Sequence, residues 1–210
     1  MLLSFDPIAH RYAVDGRGVL SVTSRIAAAG LLGSAAAFYD QASAERGTRV
    51  HAACLALDLN QPVTLLEDER GYLDSYAAWR SLIVPTWTRL ETPCYSATYD
   101  TAGTADRLGT IAERPVVLDL KTGHTAGWHG IQLAMYDLIH DDVPPRQRRR
   151  IALYLRPDGR TAQSVEYHAP ADYQIALALL KGTHGSHCSD RDDPCLAQCD
   201  GESHPESRTP

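Results

Sequence analysis

Apolar residues along this chain recur with two spacings, and the switch between them marks out the elements. Spacing near 3.6 predicts helices and strict alternation predicts strands. Ser21-Val22-Thr23-Ser24 offers hydroxyls to cap a short helix over Arg25–Leu32, stopped by Gly33. An Ala-rich helix is expected over Ser34–Glu45 and another from Arg46 to about Leu57, where Val50, Cys54 and Leu57 form one stripe. Glu67–Ile83 reads as an amphipathic helix with Tyr72, Tyr76, Trp79 and Leu82 near one face. His129–Ile139 and Ala171–Lys181 read as two more.

Strand-like runs fill the intervals. Residues 5–14 read as one strand leading to a turn at Asp15-Gly16-Arg17-Gly18. Arg89–Thr101 alternates loosely. Thr104–Ala112 and Pro115–Lys121 follow as a hairpin turning near Glu113-Arg114. Arg148–Leu155 and Thr161–Tyr167 form a second hairpin about Pro157-Asp158-Gly159. Helices, a three-strand meander, a helix, a hairpin and a helix predict an α+β fold around one mixed sheet, with helices packed on it as in an α/β sandwich.

At 210 residues with 44% apolar content, the chain suits one domain over residues 1–182 with a sizeable core. No apolar run approaches the roughly 20 residues of a membrane span, and no signal peptide is evident, so a cytoplasmic location is expected. The formal charge of −6 is uneven: residues 183–210 hold six acids against two arginines, and only −2 remains elsewhere. That argues against broad coating of nucleic acid but leaves room for a local basic surface. The 183–210 tail is poor in large apolar residues and is expected to be disordered.

The candidate chemistry sits in the first hairpin. Paired residue numbers in a hairpin sum to a constant, and a turn near 112–114 sets that sum at 225–227. Asp106 then lies opposite Asp119 or Lys121, and alternation puts all three on one face. Asp119 follows Val116-Val117-Leu118, which reads as a buried strand where a solvated acid is out of place. Two carboxylates and an ammonium gathered there point to a metal site. Hard oxygen ligands suit Mg²⁺ or Mn²⁺, and the Leu120 backbone carbonyl is a further candidate ligand. Gln132 and Tyr136, four apart on the next helix, share a face that could brace Lys121.

Four motifs in order, Arg46-Gly47-Thr48-Arg49-Val50-His51, Gly103-Thr104-Ala105-Asp106, Asp119-Leu120-Lys121-Thr122-Gly123 and Gln132-Leu133-Ala134-Met135-Tyr136, resemble the PD-(D/E)XK nuclease superfamily in its RecB-like, phage-type exonuclease branch. The resemblance covers roughly residues 5–140. It implies a restriction-endonuclease-like core and a metal-dependent deoxyribonuclease, an exonuclease of phage or bacterial recombination and repair. It also implies Asp106 and Asp119 as metal ligands, Lys121 as the catalytic lysine, His51 as an additional ligand, and Gln132 and Tyr136 as the supporting helix motif. Glu91, ahead of the first core strand, is a further candidate acid by the same resemblance. DNA is the implied partner, with a recombination protein or a second copy of the chain as further associations.

Other features allow other readings. The run Arg146, Arg148, Arg149 and Arg150 is either a solvated start to a strand or a DNA-contacting patch. Cys188, Cys195 and Cys199, spaced C-x6-C-x3-C among His184, His187 and His204, raise a zinc site or an iron–sulfur spacer-processing nuclease as alternatives. A DNA-binding accessory module with a vestigial site is the non-enzymatic alternative.

Overall fold

One sheet of eight strands organises the described residues, which in this computed structural model are 1–6, 9–32 and 41–182. The strands are β1 (Leu3–Asp6), β2 (Arg11–Val14), β3 (Arg17–Ser21), β4 (Thr86–Ser96), β5 (Thr101–Ile111), β6 (Arg114–Lys121), β7 (Arg149–Tyr154) and β8 (Gln163–Glu166). Their order is β1-β2-β3-β5-β6-β7-β8, with β4 on the other side of β5. The β3–β5 and β6–β7 pairs are parallel and the rest antiparallel, so the sheet is mixed. The helices are α1 (Val22–Ala28), α2 (Gln41–Asp58), α3 (Arg70–Ile83), α4 (Trp128–Ile139) and α5 (Pro170–Lys181). The protein is thus mixed α+β with a central mixed sheet flanked by helices.

Local chemistry places these boundaries. Ser21 accepts the Ser24 N–H at 3.0 Å and caps α1. Pro170 opens α5, where a missing N–H costs nothing. The β5–β6 turn is the two-residue loop Ala112-Glu113, both left-handed (φ 50° and 62°), the primed turn that matches strand twist. Ile111 pairs with Arg114, and the register sum is 225, within the range the sequence sets.

Three expectations need correction. Residues 5–14 are not one strand: β1 and β2 pair antiparallel, Phe5 opposite Tyr12, around an intervening turn. The expected Arg89–Thr101 strand is β4 ending at Ser96, and Thr101 already belongs to β5. Gln41–Asp58 is one helix, with no break near Glu45. The rest of the Ser34–Glu45 expectation, and everything expected of residues 183–210 and their cysteines, lies outside the described residues.

The sheet separates two cores. Tyr76, Trp79, Val50 and Cys54 from α2 and α3 pack with Val116, Leu118 and Leu120. Ile131, Leu133 and Met135 of α4 join Val22, Ile26, Ala176 and Leu180 against Leu108 and Val117. Eleven of the twelve α4 residues are buried, so that helix is an internal element. Gly103 permits its close approach: a Cβ there would lie 2.9 Å from Tyr136 Cε1 and 3.1 Å from Val22. No helix among the described residues is long and apolar enough to cross a membrane.

Candidate metal centre

Strand register builds a row of three carboxylates. Leu90 pairs with Arg107 and Thr92 with Ala105, so Glu91 of β4 lies across from Asp106 of β5. The sum of 225 sets Asp119 of β6 across from Asp106 on its other side. Glu91 therefore sits within the strand, not ahead of it, and its left-handed backbone (φ 42°) marks a local departure from regular β geometry. The ladder between β5 and β6 stops at Arg107 and Leu118. Beyond it, the Leu120 N–H donates instead to Asp106 Oδ2 at 2.6 Å. Through this N–H the Leu120 backbone fixes the Asp106 carboxylate.

The helices bring the remaining groups from both faces. His51 of α2 places Nδ1 3.4 Å from Asp106 Oδ1, and its side chain is 27% exposed. His51, Glu91 and Asp106 can each offer a ligand atom with all three within 4.8 Å of one another. Asp119 stands beside this trio, its Oδ2 2.5 Å from Lys121 Nζ in a charge contact rather than a directed hydrogen bond. Lys121 in turn donates to Gln132 Oε1 at 2.9 Å, and Gln132 Nε2 donates to Tyr136 OH at 3.4 Å. The α4 face thus holds the lysine, as its i, i+4 spacing suggested.

Burial and charge set the protonation states. Burial disfavours the imidazolium of His51, but Asp106, with Asp119 and Glu91 beyond it, overcomes that and raises it to about 9. Burial also works against ionised Asp106; His51, Arg107 and the Leu120 N–H outweigh it and hold the carboxyl below its usual range. Asp119 moves the other way: burial and the Asp106 charge raise it despite Lys121. Glu91 is raised by burial and Asp106. Tyr136 stays a neutral phenol, held up by burial and then by the two aspartates. Crowded carboxylates partly neutralised by an imidazolium form an environment in which a divalent cation could take over the positive charge.

Two supports were missed in the sequence. Arg107 is fully buried on the opposite face from Asp106. It donates to Asp58 Oδ2 (2.7 Å), to the Asp106 carbonyl (2.8 Å) and to Glu91 Oε1 (3.3 Å). Tyr76 OH and Arg80 also hold Asp58, so one buried knot ties α2, α3, β4 and β5 behind the site. Trp128 is the second: Lys121 Nζ lies 5.0 Å from its ring centroid. Extending the Gln132–Tyr136 spacing four residues backwards would have found it.

The arginine run is not at this centre. Arg148 is buried on Asp137 (3.0 Å) and Asp142 (2.8 Å), and Arg150 is buried on Asp172 (2.9 Å). Arg149 pairs with Glu166 at 2.7 Å. Neither a solvated strand start nor a freely presented DNA patch describes Arg148 and Arg150, whose side chains join strands to helices.

No family model and no curated protein matches this chain. Among solved structures it is similar to that of SSO0001, at 15% identity with a TM-score of 0.32, over 52% of this chain and 56% of that one. A likeness of that extent carries no argument about function.

Proposed function

We propose that the protein is a divalent-metal-dependent deoxyribonuclease with a restriction-endonuclease-like core, in the RecB-like branch of the PD-(D/E)XK superfamily that its motifs resemble. The observation that carries this reading is the carboxylate row Glu91–Asp106–Asp119, with His51 at one side and a tethered Lys121 at the other. His51, Glu91, Asp106 and Asp119 would hold the metal. One imidazole nitrogen among carboxylate oxygens suits Mn²⁺ better than Mg²⁺. When bound, the ion would hold a phosphate oxygen, lower the pKa of a water and offset charge developing at phosphorus.

The chain's own residues do the rest. Lys121 orients the attacking water and stabilises negative charge on the phosphate oxygens. Gln132 and the Trp128 ring fix its ammonium, so little reorganisation is needed as charge develops. Arg107 keeps Glu91 and the Asp106 backbone in place from behind. Water is the nucleophile, so no covalent enzyme intermediate forms. An exonuclease acting on DNA in recombination or repair, in the cytoplasm of a bacterial or phage-infected cell, fits this chemistry; a partner protein or second copy would hold the DNA end.

The test is cleavage of labelled linear and covalently closed circular DNA with Mn²⁺, Mg²⁺ or EDTA. Expected are cleavage in Mn²⁺, slower cleavage in Mg²⁺, none in EDTA, and a preference for ends. Absence of cleavage under every metal condition contradicts the enzymatic reading.

A further inference from the structure

At the end of the sheet away from the carboxylate row, Arg114 begins β6 and Arg149 begins β7. Asp119 is five residues further along β6, roughly 17 Å at a strand rise of about 3.3 Å per residue. A concavity of about 290 Å³ opens at this end, lined among the described residues by five arginines and one carboxylate, Glu166. Most of that positive charge is matched by acids behind the lining, so what the hollow can offer a ligand depends on which arginines are left over.

Those arginines are not equivalent. Arg148 and Arg150 are consumed by buried aspartates, and Arg149 is shared with Glu166. Arg114 and Arg146 remain, both exposed, with no carboxylate among the described residues in ion-pair contact. Arg146 is held where it is. Its backbone is left-handed (φ 70°), its N–H is anchored on Asp137 Oδ2 at 2.7 Å, and its guanidinium lies 5.4 Å from the Tyr173 ring centroid. Forked, permanently charged donors around a polar hollow match the oxygens of a phosphate group.

We propose that this pocket is a phosphate-binding site that holds the nucleic-acid strand away from the bond being cleaved. It rests on the nuclease reading. At the roughly 3.4 Å per nucleotide of a strand stacked as in a duplex, the roughly 17 Å from Asp119 corresponds to about five nucleotides. Glu166 competes with the phosphate for Arg149, which keeps the contact weak enough to release a moving strand.

The test uses labelled single strands of 4 and 12 nucleotides, with affinities measured by fluorescence anisotropy over a range of salt in EDTA. In the Arg114→Ala/Arg146→Gly variant, affinity for the 12-mer should fall about tenfold and its salt slope should shrink by about one, since each phosphate contact on a single strand contributes about 0.7. Binding of the 4-mer should not change. Among the described residues neither arginine makes an ion pair, and glycine suits the left-handed backbone at 146. Glu166→Gln should tighten the 12-mer several-fold, a gain that misfolding does not produce. Unchanged slope and affinity in the double variant overturn the pocket. So does inorganic phosphate binding by a protein that binds neither strand. Length-dependent binding without cleavage in Mn²⁺ would sink the nuclease reading and keep the pocket; cleavage with length-independent binding would do the reverse.

Discussion

On the proposed metal-site reading, His51 carries the first test at the scale of one residue. Its proton is held up to about 9, so at neutral pH a metal must displace that proton before the imidazole can ligate. Apparent Mn²⁺ affinity should therefore rise with pH, by up to about tenfold per unit, and level off above 9. Calorimetry in buffers of different ionisation enthalpy should show close to one proton released per ion at pH 7. His51→Gln should remove both the slope and the proton; a wild-type affinity flat from pH 6.5 to 8.5 counts against His51 as a ligand. Arg107 makes a different prediction. Replacing it with Met leaves Asp58 buried with one cation fewer and frees Glu91, at a stability cost of about 3 kcal/mol. Denaturant unfolding checks this, and a midpoint unchanged from wild type would mean that Tyr76 and Arg80 satisfy Asp58 unaided.

At the scale of elements, the β5–β6 hairpin carries most of the site and was the most legible part of the sequence. Alternation and turn position confined its register to sums of 225–227 and put Asp106, Asp119 and Lys121 on one face in either case, because period 2 leaves little freedom once one face is buried; the sum adopted is 225. The turn residues themselves are poor choices. Ala112 and Glu113 adopt positive φ, and each costs about 1 kcal/mol or more relative to a residue suited to it. Ala112→Asn with Glu113→Gly should raise stability by about 1–2 kcal/mol without altering the site, the greater unfolded-state freedom of glycine offsetting part of the relief; an unchanged or lower melting temperature would refute the strain. Gly103 gives the opposite case. Gly103→Ala should push Tyr136 and α4 outward, weakening the Gln132 hold on Lys121 along with the fold. What the sequence did not disclose has one cause in common. Glu91 across from Asp106 and Arg107 on Asp58 are long-range pairings, set by which elements adjoin. No local period encodes them.

For the whole molecule, the α+β architecture and its mixed sheet were legible, while the connection of the N-terminal hairpin to β5 was not. The buried arginines show the limit of reading charge as surface. Arg148 and Arg150 look like an exposed basic run, yet acids distant in sequence, Asp137 and Asp172, draw them inside. The same interior holds two neutral histidines. Burial, then Arg148 and Arg89, push His140 down to about 4; burial, then Lys121, push His129 down to about 3. Unfolded histidines titrate near 6.5, so the folded state binds fewer protons between these values. Stability should rise with pH over this window and be lost progressively as pH falls below about 6.5. His140→Gln should flatten the stability–pH curve by about 2 kcal/mol between pH 7 and 4.5. Parallel curves for the two proteins would contradict the buried neutral state.

The central claim, that the carboxylate row and Lys121 form a metal-dependent phosphodiesterase, meets its most direct test in single-turnover cleavage of end-labelled linear DNA in Mn²⁺. Wild type should be compared with Asp119→Asn and Lys121→Ala, all shown to be folded by circular dichroism. The structure predicts losses of about a hundredfold or more in both variants, with no cleavage by wild type in EDTA. Equal rates in all three proteins, or cleavage that survives EDTA, would contradict it.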